Sequence, residues 1–166
     1  LADSARAALV NVAQNVLVSG VDAKRWGNSH PNLVPYQLFD AADRPFVIAV
    51  GSDGQWRACA RALGLADLAD DDSLQTNAGR VERRDYVVSA LAERVKEMGA
   101  QHWIERLQAV SVPCGLVKTV AEVLVGTNAD ARTGVPPSVP GSVRLPPPQL
   151  DEHGDAIRTL GWRAFG

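Results

Sequence analysis

The stretch HPNLVPYQLFDAADRPFVIAVGSDGQW, residues 30–56, decides the fold. Two short β-prone runs, Tyr36 to Phe39 and Pro45 to Val50, flank Asp40-Ala41-Ala42-Asp43-Arg44, a turn-rich connection that predicts an antiparallel hairpin. Beyond it, Gly51-Ser52-Asp53-Gly54 turns the chain into a helix whose Trp56, Cys59, Ala60 and Leu63 fall at i, i+3, i+4 and i+7. That spacing sets one apolar face against the sheet, and Gly64 is placed to stop the helix. Ser52 or Asp53 is the expected N-cap, since either side chain accepts from the first unpaired backbone N–H groups.

Working outward, a first helix is expected from Asp3 or Ser4 to Ser19, with Gly20 as its stop. Ala5, Ala8, Leu9, Val12 and Val16 form one apolar stripe on it, and Val10, Ala13 and Leu17 form a second. A surface helix needs only one stripe. The second implies a further partner, either another subunit or another domain, unless this helix is central to its own domain. The acidic connection from Asp67 to Asn77 is read as solvated, because it lacks the regular ligand spacing and glycine turn of a calcium loop. Val81, Val88, Leu91, Ala92, Val95 and Met98 mark a long helix ending at Gly99, and Trp103, Leu107 and Val110, widened by Ile104, mark the next. His102 is expected to be exposed.

Val112 to Val117 is read as a third strand, and Thr119-x-x-Glu122 as a capping box opening a short helix toward Val125 and Gly126. Residues 136–148 hold six prolines and should be extended and stiff. The expected organisation is an N-terminal interface helix (1–20), a small α+β domain (21–126), a Pro-rich linker (127–149) and a C-terminal docking segment (150–166). The fold class is α+β: a small antiparallel sheet of the hairpin and one further strand, packed with several helices.

With 166 residues, 46% hydrophobic and 22% charged, the chain can bury a real core. A net charge of −2 and a pI near 5.9 provide no basic stripe for nucleic acid or anionic membrane. No apolar run reaches the roughly 20 residues of a membrane span, and the N-terminus lacks the order of a signal peptide, so a cytoplasmic protein is expected. Cys59 and Cys114 have apolar neighbours and no metal-ligand spacing, which predicts buried thiols and no metal site.

The wording of residues 30–56 resembles the small-domain signature of the class III CoA-transferases, the family that includes formyl-CoA transferase, carnitine CoA-transferase and α-methylacyl-CoA racemase. Val112-Pro113-Cys114-Gly115, Thr119-Val120-Ala121-Glu122-Val123, and Pro146-Pro147-Pro148 leading to Leu150-Asp151-Glu152-His153 are similar to further pieces of that family, in the same order. The resemblance implies that the nucleophilic aspartate and most of the CoA groove belong to a large domain outside residues 1–166. The chain is therefore expected to be a fragment, inactive alone, whose partners are that absent domain, a second subunit of a homodimer, and acyl-CoA or CoA.

By the same resemblance, Gly27 to Asn32 corresponds to a loop that covers the reacting thioester. Gly27 and Asn28 tolerate positive φ, and Pro31 and Pro35 stiffen the exit, which suits a lid of fixed shape. The substrate-binding candidates are Gly27, Asn28, His30 and Asn32 on the loop, with Gly51, Ser52, Asp53 and Gly54 on the turn. The resemblance makes Asp53 a helper to the catalytic base if the reaction is racemisation of a 2-methylacyl-CoA, and simply a cap otherwise. No bound cofactor is expected, the CoA thioester being substrate. The alternatives to a transferase small domain are a racemase small domain and a non-catalytic assembly module.

Overall fold

The hairpin forms as expected: β1 (Tyr36–Asp40) and β2 (Pro45–Ala49) pair antiparallel, with Tyr36 opposite Ala49 and Phe39 opposite Phe46. This computed structural model describes residues 2–127 and 148–165 and has an α+β architecture. Within it the chain divides into two units, Leu1–Val117 and Lys118–Gly166. A third strand, β3 (Cys114–Leu116), lies on the other side of β2 and completes a sheet of order β1-β2-β3. Strand alternation sends Phe39, Phe46 and Ile48 into the core.

Two helices precede the sheet, α1 (Ala2–Ala8) and α2 (Val10–Ser19). The single expected helix is interrupted at Leu9, whose N–H turns back to Arg6 O instead of continuing the helical ladder. Asp3 lies in the first turn of α1 and does not cap it. Gly20 ends α2 at φ 70°, donating its N–H to Val16 O. Neither helix has a buried residue, and Leu9, Val10, Val12, Leu17 and Val18 are exposed. A helix central to its own domain is thereby excluded for this chain.

After the hairpin come α3 (Asp53–Ala62), α4 (Ala66–Asp70) and a 3-10 turn at Asp72–Leu74. Trp56, Cys59, Ala60 and Leu63 are all buried, as their spacing predicts. The acidic connection proves to be folded: Asp67, Asp70 and Asp72 face water, while Leu68, Ala69 and Leu74 enter the core. The long helix predicted next is two, α5 (Asn77–Glu82) and α6 (Arg84–Val95), broken where Arg83 leaves helical geometry at φ −101°, ψ 30°. Val87, Leu91 and Val95 carry its buried face, and Met98 is exposed. Helix α7 (Ala100–Ala109) buries Ala100, Trp103, Ile104 and Leu107, with Trp103 Nε1 donating to Val95 O at 2.8 Å. Val110 stays exposed, and His102 is half-buried, edge-on to Trp103.

In the second unit, α8 (Val120–Leu124) opens with the predicted capping box: Glu122 N–H donates to Thr119 Oγ1 at 3.2 Å, and Thr119 N–H donates to Glu122 Oε2 at 2.7 Å. The terminal helix is α9 (Gly154–Leu160), followed by a 3-10 turn at Gly161–Phe165. Apart from Pro148, the Pro-rich stretch lies outside the described residues.

Candidate functional site

Because Tyr36 opens β1 opposite Ala49, which closes β2, the segments flanking those residues meet at one end of the hairpin. Val50 N–H donates to Pro35 O at 2.9 Å across that end, next to the cis Val34–Pro35 bond. The exit of the loop, at Val34 and Pro35, and the chain entering the turn, at Val50, thus meet at that end.

The loop lies along the outer edge of β1. Leu38 N–H donates to Asn28 Oδ1 at 3.0 Å, His30 N–H to Tyr36 O at 2.9 Å, and Ser29 Oγ to Gln37 Oε1 at 2.9 Å. An edge strand left bare would offer these groups to another chain, so the loop also guards the sheet. His30 stacks on Tyr36 with ring centroids 5.2 Å apart, and its Nδ1 accepts from Asn32 N–H at 3.0 Å, which makes it a brace of the loop. Gly27 sits at φ 61°, where a side chain would be strained.

Across the turn, Ser52 is the N-cap of α3, its Oγ accepting from Gln55 N–H at 3.3 Å. Asp53 is the first helical residue and does not cap. Of the two sequence candidates the hydroxyl wins, because Ser52 holds the extended backbone of a cap (φ −147°, ψ 161°). Gly51 N–H is taken by Gln55 Oε1 at 2.8 Å, and Trp56 N–H by Ser52 O. The N–H groups of Asp53 and Gly54 make no hydrogen bond among the described residues, as the first turn of a helix leaves them.

The residues that hold loop and turn in place went unread in the sequence. Arg80 is 1% exposed. Its Nε donates to Val34 O at 2.8 Å, one terminal nitrogen to Leu74 O at 2.9 Å and the other to Asp53 Oδ1 at 2.9 Å. The guanidinium also lies 5.4 Å from the Trp56 ring centroid. Asn77 donates to Asn32 O at 2.7 Å and accepts from Val34 N–H at 3.2 Å, and Arg84 donates to Pro31 O at 2.6 Å. Asn77, Arg80 and Arg84 fall at i, i+3 and i+7, a polar stripe at helical spacing. That stripe was the available signal, passed over beside the apolar one. Partial burial lowers the Arg84 pKa, and its guanidinium lies over Trp26 at 4.5 Å, with Lys24 Nζ 4.2 Å from the same ring. An open groove of about 400 Å³ runs between α2 and the loop, lined by Val12, Val16, Val21, Trp26, Pro31 and Asn32 among others.

Asp53 is the one carboxylate among the predicted site residues, about half exposed, and its Oδ2 makes no hydrogen bond among the described residues. Cys59 is not a nucleophile here: burial, reinforced by Cys114 nearby, pushes its thiol pKa up to about 12. Among the described residues no group of three or more His, Cys, Asp or Glu side chains is placed to hold a metal ion, and no helix is long and apolar enough to cross a membrane.

Residues 1–153 match the family described as CoA-transferase family III. The chain is 32% identical over 132 residues to a succinate–glutarate CoA-transferase of Agrobacterium fabrum, covering 80% of this chain and 33% of that one. It is 30% identical over 155 residues to an acetyl-CoA:oxalate CoA-transferase of Acetobacter aceti, covering 84% of this chain and 40% of that one. The crystal structure of a CAIB/BAIF family protein from Brucella suis matches with a TM-score of 0.67 at 34% identity, over 91% of this chain and 44% of that one. The chain thus spans less than half the length of these relatives. With residues 1–153 matched to that family, and relatives at 30% identity or more over most of its length, the chain belongs to CoA-transferase family III.

Proposed function

We propose that residues 1–166 are the small, lid-bearing portion of a cytoplasmic enzyme that moves CoA between carboxylic acids, with the nucleophilic carboxylate supplied from outside this chain. The observation that carries the reading is the tie between the exit of the loop Gly27 to Asn32 and the turn Gly51 to Gly54: Val50 N–H donates to Pro35 O, and Arg80 joins Val34 O to Asp53 Oδ1. There the free N–H groups of Asp53 and Gly54 suit the oxygens of a thioester or a carboxylate. In the proposed reaction an aspartate attacks the acyl-CoA thioester, the C–S bond breaks, and a mixed anhydride forms as CoA leaves as thiolate. The thiolate then attacks the aspartyl carbonyl of the anhydride, releasing the donor as its carboxylate and leaving an aspartyl-CoA thioester. The acceptor carboxylate attacks that thioester and expels the thiolate, which finally attacks the acceptor's carbonyl in the new anhydride, giving its CoA thioester and the free aspartate. A fixed loop over the reacting centre would exclude water and protect the anhydride from hydrolysis. The names of the two curated relatives above, both transferases, favour transfer over racemisation.

The test is thioester exchange by the full gene product, with succinyl-CoA or acetyl-CoA as donor and glutarate or oxalate as acceptor, followed by chromatography of the CoA esters. A new acyl-CoA is expected from the full product and none from residues 1–166 alone. No exchange by the full product with any of these acceptors, or turnover by the 166-residue chain, would overturn the reading.

A further inference from the structure

Arg80 ties together the two segments assigned to substrate, and we propose that it is the positioning residue of the thioester site, an inference that rests on the reading above. A buried guanidinium is costly unless its N–H groups are met, and an apolar residue of similar volume would often fill the same space as stably. What a guanidinium adds is a planar fork of donors with fixed directions. Here one arm holds Val34 O, two residues beyond Asn32 at the loop exit, and another holds Asp53 Oδ1, the first residue of α3. The third arm anchors the fork to Leu74 O.

Asn77, which opens α5, and Arg84, which opens α6, hold Asn32 O, Val34 N–H and Pro31 O. The loop exit is therefore gripped at residues 31, 32 and 34, and among the described side chains Arg80 carries that grip across to the turn, beside the backbone bond from Val50 N–H to Pro35 O. Loop and turn cannot shift separately while this link stands. Asp53 keeps its second oxygen free, and the N–H groups of Asp53 and Gly54 stay open beside it. Arg80 does not touch substrate. It sets the spacing between the loop that covers a thioester and the donors that meet its oxygen.

The experiment uses Arg80→Lys in the full gene product, since lysine keeps the charge but cannot span three acceptors. Arg94→Lys is the control: Arg94 Nε donates to Leu63 O at 2.6 Å, a structural tie to a core carbonyl. Arg80→Lys, with its melting temperature above the assay temperature, should raise KM for the acyl-CoA by about ten- to a hundredfold and change kcat little. Hydrogen–deuterium exchange should quicken in residues 27–35 and 51–55 together, with α6 and α7 unchanged. Arg94→Lys should keep the wild-type KM. A wild-type KM in Arg80→Lys, an equal rise in Arg94→Lys, or loosening of only one segment would overturn the proposal. If Arg80→Lys does not fold, Asp53→Ala removes the acceptor at the exposed end of the same link and is read by the same two measurements. If the wild-type protein transfers no CoA, the functional reading fails first. Joint loosening would then leave Arg80 a structural tie only, and its role at a thioester site would fall as well.

Discussion

Ser52 and Asp53 divide a role that the sequence offered to either. The Ser52 hydroxyl caps α3, so Ser52→Ala should cost about 1 kcal/mol. Asp53→Ala removes the partner of a buried guanidinium, but the carboxylate is 47% exposed, so screening limits the loss to about 1–2 kcal/mol. Urea midpoints of the two variants decide this, and an intact midpoint for Asp53→Ala would show that the pair contributes nothing. The cap was legible because its signal is local. The ion pair was not, because its partners lie 27 residues apart and nothing near Asp53 announces Arg80. Gly79 was unread for the same reason: a Cβ there would stand 1.9 Å from Ser73 O, a close approach visible only once the chain has folded. Cys59, pushed up to about 12 by burial, should resist iodoacetamide in the native protein at about pH 8, when an ordinary thiol is partly ionised. Mass spectrometry should find it alkylated only after urea is added, and rapid native labelling would contradict that burial.

Among the elements, α7 has a cap that arrives from far away. Gly99 stands at its N-cap position without a side chain, and Asp43 in the hairpin turn supplies the missing acceptor, taking Ala100 N–H on Oδ1 at 2.7 Å. That hydrogen bond, with those from the backbone of Asp43 and Arg44 and the nearby Arg44 charge, holds the Asp43 pKa below its ordinary value of 3.8 against the opposing effect of desolvation. A depressed carboxylate stabilises the fold above its unfolded pKa, and the gain is lost as pH falls through the lower, folded value. Melting temperature should therefore drop below about pH 4, and more shallowly in Asp43→Asn, which keeps an acceptor but does not titrate. Equal slopes in the two proteins would remove Asp43 from the linkage. Elements written in local code were readable in advance: the hairpin, the apolar face of α3 and the α8 capping box. The breaks at Leu9 and Arg83 carry no glycine or proline, and the acidic connection hid Leu68, Ala69 and Leu74 among its charges, so packing decided what composition left open.

At the scale of the whole molecule, the two apolar stripes of the first helix pointed to a partner, and the structure leaves them exposed at every position except the half-buried Val16. Leu17 and Val18 are 80% and 77% exposed, with Leu9, Val10, Val12 and Val21 around them. Each such side chain forgoes roughly 1.5–3 kcal/mol of burial, so a few of them suffice to drive association. In relatives more than twice as long, the remaining chain or a second subunit can cover this face; residues 1–166 alone have only one another. The isolated chain should therefore self-associate in analytical ultracentrifugation as its concentration rises. Leu17→Glu with Val18→Glu should return it to monomer without lowering the melting temperature, because neither side chain contributes to the core and exposed substitutions usually shift stability by less than about 0.5 kcal/mol. If the unmodified chain stays monomeric at every concentration, α2 does not seek an apolar partner and the two-stripe argument fails. If the double variant associates as strongly as the parent, the contact lies elsewhere on the chain.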